Sequence, residues 1–234
     1  MNFCTASGLS NLGTSLGLSQ TTGYSPYLPL LALTIATKWF HLCQLNPTFG
    51  FITANWFLVI IALLTVADLI IDLIPAVSTG WHAVHTAITP FLGGLVAAAT
   101  TTGLPGTSLS LPSGLGLHLA FLAPVAHLSL SGTAYTIVIF LVGFVLAGLV
   151  HLHRFGGRAV ANVGHVFTMG ISNVVISILE DIVAVVSIIL SFLAPAVMLI
   201  IVVIVVLLLL ATMRYIRRGL RFLRGWMNNQ AAAR

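Results

Sequence analysis

The stretch "ISNVVISILEDIVAVVSIILSFLAPAVMLIIVVIVVLLLLATM", residues 171–213, carries two charges, Glu180 and Asp181, in about 43 residues. As one helix it would be about 64 Å long at 1.5 Å per residue, twice the roughly 30 Å of a bilayer's hydrocarbon. It therefore predicts two membrane spans. The break belongs at "SFLAP", where Pro195 cannot continue a helix and disfavours the helical conformation in Ala194.

The rest of the chain agrees with that reading. Of 234 residues 59% are hydrophobic and 6% charged, with a mean hydropathy of +1.11. A soluble domain of this size carries about 25% charged residues. The apolar runs are continuous, whereas barrel strands alternate, so the class is an all-α integral membrane protein. Further spans are expected at 51–75, with Asn55 and Trp56 at its mouth, at 81–102 and at 134–152. That makes five firm transmembrane helices in a polytopic bundle.

Two segments fit no simple span. Residues 3–40 hold two apolar pieces of about 15 residues separated by "SQTTGYSP", each too short to cross. They read as a re-entrant or broken helix, tolerated at membrane depth where it is buried in protein or lines a cavity. Residues 103–133 begin with the turn-rich, uncharged "GLPGTSLSLPSGLG" and read as an extracytoplasmic loop or cap. The opening "MNFCTASGLSNLGTSLGLSQ" lacks a basic region, so no cleavable signal peptide is expected. Cys4 and Cys43 match no metal or redox spacing and read as buried bystanders.

The chain divides into a transmembrane domain, 1–213, and a basic tail, 214–234. In the tail Arg214, Arg217, Arg218, Arg221 and Arg224 share one helical stripe, with Ile216, Leu220, Leu223 and Met227 on another. This predicts an amphipathic helix on anionic lipid headgroups. No soluble basic domain exists to bind nucleic acid. The positive-inside rule puts the C-terminus in the cytoplasm, with Arg154 and Arg158 on that side, and 103–133 outside. His151, His153, His118 and His127 read as interfacial.

All four acids lie in apolar runs. Thr65, Asp68 and Asp72 share a helix face by spacing, as do Asn173, Ser177, Glu180, Ala184, Ser187 and Ser191; Asp181 lies about 100° away. A carboxylate at a span's centre costs on the order of 3 kcal/mol. No Lys or Arg lies between Lys38 and Arg154, so the offset must be a proton, a cation, a histidine, or a base brought in by folding. Asp68, Asp72, Glu180 and Asp181, with Asn173 and Ser177, are therefore candidate cation or proton ligands. The alternative is that these groups are interfacial or serve as structural hydrogen-bonding partners. In "WHAVH", His82 and His85 at i, i+3 near Asp72 could ligate a transition metal. No phosphate loop, catalytic triad or Cys/His dyad is present, so no enzyme and no cofactor is expected.

"GYSPYLPLLAL", "DLIPAVSTGWHAVHTAITPFLGGLVAA" and "SNVVISILEDIVAVV…FLAP", in that order, resemble an uncharacterised family of small bacterial inner-membrane proteins, a domain of unknown function. The resemblance covers most of the chain outside 103–133 and the tail. It implies a multi-pass helical fold in the bacterial inner membrane, with recurrent positions at Asp72, Pro75, His85, Pro90 and Glu180–Asp181. That family often has arginine where this chain has Ser25 and Thr89, and an acid where it has His82, which marks a divergent member. "NLGTSLGLSQTTGYSP" also echoes "NVGHVFTMGISNVVIS", which is the pattern of an inverted repeat. Together these features predict a transporter or channel for a small cation or proton. The alternative is a non-catalytic accessory subunit, with lipid, copies of itself or a larger membrane complex as partners.

Overall fold

The structure, a computed structural model, describes residues 8–72, 75–101, 132–164 and 171–232. At 8–9, 72, 75–80, 82–83, 155–164, 171–174 and 216–232 it describes the backbone alone. Every regular element among them is helical: α1 (Gly8–Thr22), α2 (Leu28–Lys38), a 3-10 segment (Pro47–Thr53), α3 (Asn55–Asp72), α4 (Pro75–Thr100), α5 (Gly132–Gly164), α6 (Ile171–Leu193) and α7 (Pro195–Ala232). The expected 103–133 cap falls almost wholly outside the described residues. So does the middle of the second half of the expected repeat.

Three described helices are long and apolar enough to cross a membrane: Gly132–Arg154, Val175–Leu193 and Pro195–Tyr215. A fourth crossing arises if Pro47–Thr53 and Asn55–Ile71, bent by 64°, count as one. The count of five firm spans is thus reduced. The expected 51–75 span is broken because Asn46 caps the 3-10 segment through Thr48 N, and the chain turns again at Ala54, whose backbone is extended. The α6–α7 break falls at Ala194, one residue before Pro195, as the proline requires. Helix α7 then continues through Ala232, so the arginine-rich tail prolongs the span as one helix.

Helix α1 lies at the centre and touches α4, α5, α6 and α7. Its composition, rich in Ser, Thr, Asn and Gly, suits that place. Asn11 Nδ2 donates to Thr100 O at 3.1 Å, and Ser15 Oγ to Ala97 O at 2.9 Å. Ser19 Oγ donates to Gly143 O at 2.9 Å, and Thr14 Oγ1 to Ser191 O at 2.8 Å. Each bond ends on a backbone carbonyl of a neighbouring helix, so α4, α5 and α6 are joined to one axis; Ser191 O is one that Pro195, lacking an N–H, leaves without its usual helical donor.

Close approach depends on missing side chains. A Cβ at Gly13 would lie 2.0 Å from the carbonyl oxygen of Pro195. Helices α4 and α5 form the most extensive pair, meeting through Gly93 and Ala97 on one and Gly143 and Ala147 on the other. Here a Cβ at Gly143 would stand 2.5 Å from that of Ala97. This is small-xxx-small packing.

Helices α1 and α2 form a hairpin with both ends at one end of the bundle. Asn11 bonds Thr100, where α4 finishes. After α2, Asn46 N donates to Ala99 O at 2.9 Å, and Lys38 Nζ to Thr53 O at 3.3 Å. The hairpin's non-helical tip, Gly23–Tyr27, reaches toward the opposite end, where Gly23 fits against Val150 of α5.

Candidate functional site

Two of the four acids meet the hairpin tip from different sides. Asp68 of α3 is 5% exposed. Its Oδ1 accepts a hydrogen bond from Trp81 Nε1 at 2.9 Å and lies 3.5 Å from His85 Nδ1. His85 is 1% exposed and is enclosed by aromatic rings. Tyr27 of the tip stands edge-on at 5.3 Å between centroids, and Trp81 at 4.8 Å. The helical spacing explains the grouping: Trp81 and His85 are one turn apart on α4, facing Asp68 and Thr65, one turn apart on α3. Thr65 is buried as well, its hydroxyl engaged with Ile61 O at 2.7 Å. A buried carboxylate, an imidazole and an indole N–H thus form one constellation.

The second acid, Glu180 of α6, pairs with Arg154 of α5, whose Nε donates to Oε2 at 2.6 Å. Arg154 Nη1 also donates to the backbone carbonyl of Tyr24 in the tip. Arg154 is 7% exposed. Folding supplies the base that the sequence between Lys38 and Arg154 does not. His151 is likewise buried rather than interfacial, its Nε2 lying 3.3 Å from Thr86 Oγ1. His153 is exposed.

A cavity of about 350 Å³ opens beside Arg154 and Glu180. Val150, Ile176, Val205 and Leu208 supply apolar walls, with Tyr24 at the tip side.

The remaining candidates are distributed as follows. Ser177, Ala184, Ser187 and Ser191 are buried along the Glu180 face of α6, while Asp181 is half-buried. The side chains of Asp72, His82, Asn173, Arg217, Arg218, Arg221 and Arg224 lie outside the described set, and Arg214 is exposed. Among the described residues no three His, Cys, Asp or Glu side chains converge as a metal site would require. Cys43 is no bystander: it is disulfide-bonded. Sequence reasoning missed Trp81 as a donor to Asp68, although i, i+4 from His85 was a usable signal. It also missed Tyr24 and Tyr27, whose role depends on where the hairpin tip lies.

A family model described as Domain of unknown function (DUF4126) matches residues 12–215. The chain belongs to that family. The matched region runs from within the central helix to the end of the last candidate span, so both carboxylate pairs and the hairpin tip belong to the DUF4126 domain. The arginine-rich extension from 216 onward lies beyond it. No curated protein and no solved structure matches the chain.

Proposed function

We propose that this DUF4126 member is a multi-pass inner-membrane transporter or channel for protons or small cations, and not an enzyme. The carrying observation is the convergence of two buried carboxylate pairs, Asp68–His85 and Glu180–Arg154, on the non-helical tip of one hairpin. Broken helices at membrane depth persist where they line a site, and transporters place their ion ligands at such breaks. In this reading α3 and α4 also cross, which with α5, α6 and α7 gives five spans. The hairpin is the re-entrant element, and the C-terminus is cytoplasmic.

The Asp68–His85 pair is the proton-handling group. It sets a carboxylate against an imidazole, two groups that exchange protons, beside the rings of Trp81 and Tyr27. The Glu180–Arg154 pair has its charge balanced internally, so it serves as a gate. While Arg154 holds both Glu180 and the Tyr24 carbonyl, the tip is fixed to α5 and α6. An accessory-subunit reading draws on the length of α7, which continues about 17 residues, near 25 Å at 1.5 Å per residue, past Tyr215 as a basic helix able to meet a partner.

Flux separates the two. Purified protein in sealed vesicles with an internal pH dye should dissipate an imposed proton gradient, and Asp68→Asn should abolish this while the protein still folds. Native protein that is folded yet passes neither protons, sodium nor potassium would refute the transport reading and leave the accessory role.

A further inference from the structure

The cavity beside Arg154 and Glu180 lies where three candidate spans end together. Arg154 is the last residue of Gly132–Arg154, Ile176 is the second of Val175–Leu193, and Thr212 stands three before the end of Pro195–Tyr215; all three residues line the cavity. Helices that cross hydrocarbon put their ends at headgroup depth, so the cavity lies at that depth. The space exists because α1 stops at Thr22. Along its length α1 packs against α5, α6 and α7, and past its end the tip contributes Tyr24 to the lining. We infer that this cavity binds one phospholipid with a primary-ammonium headgroup, a phosphatidylethanolamine, with its ammonium on Glu180 and an acyl chain along the apolar walls.

The walls select an amphiphile. Leu208 belongs both to the cavity and to the exposed side of α7, with Ile204 and Leu207 one turn before it. The opening is therefore continuous with the hydrocarbon around the bundle. Its volume, about 350 Å³, falls within the roughly 300–1,000 Å³ of small-molecule sites. That holds a headgroup and the start of one chain, while the rest of the lipid stays in the bilayer.

Charge selects the headgroup. Arg154 and Glu180 cancel each other, so a net anion would bring a charge that the pair does not balance. Of the two, the carboxylate is the member presented: the Glu180 side chain is 18% exposed and that of Arg154 is 4%. A cation therefore meets Glu180 first, and a charge-assisted bond is strong where water is scarce. A primary ammonium has three N–H donors to give, whereas a trimethylated one has none. His153, exposed and on the cavity lining beside Arg154, stands ready for the phosphate. This assignment holds whether or not the bundle conducts ions.

Native mass spectrometry of the full-length protein in mild detergent counts its bound lipids and provides the test. Dioleoyl phosphatidylethanolamine, phosphatidylcholine and phosphatidylglycerol are titrated separately, so that the chains are identical and the headgroup alone varies. The ethanolamine lipid should bind at one site about tenfold more tightly than the other two, as one charge-assisted hydrogen bond predicts. Glu180→Gln should bring it to within about twofold of the choline lipid, since the bond to the carboxylate is then gone. Leu208→Trp narrows the cavity from an exposed position and leaves the ion pair in place. It should weaken the ethanolamine lipid by about tenfold, and it keeps the test decisive should Glu180→Gln fail to fold. Equal retention of the three lipids would mean annular lipid only and overturn the site. Tighter binding of the glycerol lipid, or a preference unchanged in folded Glu180→Gln, would overturn the headgroup assignment. Undiminished binding in Leu208→Trp would overturn the location.

Discussion

Replacing Arg154 with Met is the sharpest probe of how the second acid is held. The substitution keeps the apolar stem that packs inside α5 but removes the guanidinium bonded to Glu180 and to the Tyr24 carbonyl. Glu180 keeps 18% of its side chain exposed, so it is left largely buried without its base. Breaking a buried pair from one side costs about 3–5 kcal/mol. Removing both partners is different. In Arg154→Met with Glu180→Met no charge is stranded, and what is lost is the bond to Tyr24, about 1.5–3 kcal/mol for a charged donor. The double variant should therefore be more stable than Arg154→Met alone by about 1–3 kcal/mol. Equilibrium unfolding in mixed micelles with rising SDS fraction, followed by tryptophan fluorescence, measures all three proteins. Additive losses, with the double variant the least stable, would refute the buried ion pair.

Four further outcomes follow from contacts elsewhere in the bundle. Gly143→Ala would set a Cβ 2.5 Å from that of Ala97 and 2.8 Å from the Gly93 carbonyl oxygen, costing about 1–3 kcal/mol by forcing α4 and α5 apart. Gly50→Ala, with open space around it, should change stability by less than about 0.5 kcal/mol in the same SDS titration. Ser19→Ala removes one interhelical bond to Gly143 O and should cost about 0.6 kcal/mol, the average for such bonds in a membrane. Trp81→Phe keeps the ring beside His85 but loses the N–H to Asp68. It should destabilise by about 1.5–3 kcal/mol and leave Asp68→Asn with Trp81→Phe no worse than Trp81→Phe alone.

The α6–α7 break was legible because proline chemistry is local: Pro195 dictates its own neighbourhood whatever packs around it. The burial of Asp68 and Thr65 on one face was legible for a similar reason, since helical spacing alone puts them together. The partners were not. Arg154 is 26 residues from Glu180 and Trp81 is 13 from Asp68, and only the packing of α5 and α6 on α1, and of α4 on α3, brings them together. Arg154 in particular resembled a boundary marker, because an arginine at the end of an apolar run usually reaches water. Here the carbonyl of Tyr24 and the carboxylate of Glu180 replace that water.

The N-terminal segment shows the same limit from the other side. Residues 3–40 read as two apolar pieces, each too short to cross, which is correct for a helix that must face lipid. The expectation of a broken element followed, but not its position. A hydroxyl in hydrocarbon is costly only while it lacks an acceptor, and Thr14, Ser15 and Ser19 each find one on a different neighbour. The glycines that lower the segment's helix propensity are what let those neighbours come close enough to accept: at Gly17 a Cβ would meet Met198 Cγ at 2.4 Å. The polarity of α1 is therefore the reason it occupies the axis of the bundle. A helix of leucines there would have neither the donors nor the clearance. The hairpin tip reaches Arg154 and His85 because α1 is anchored along its length, so the position of the candidate site depends on these Ser, Thr and Gly residues as much as on the acids.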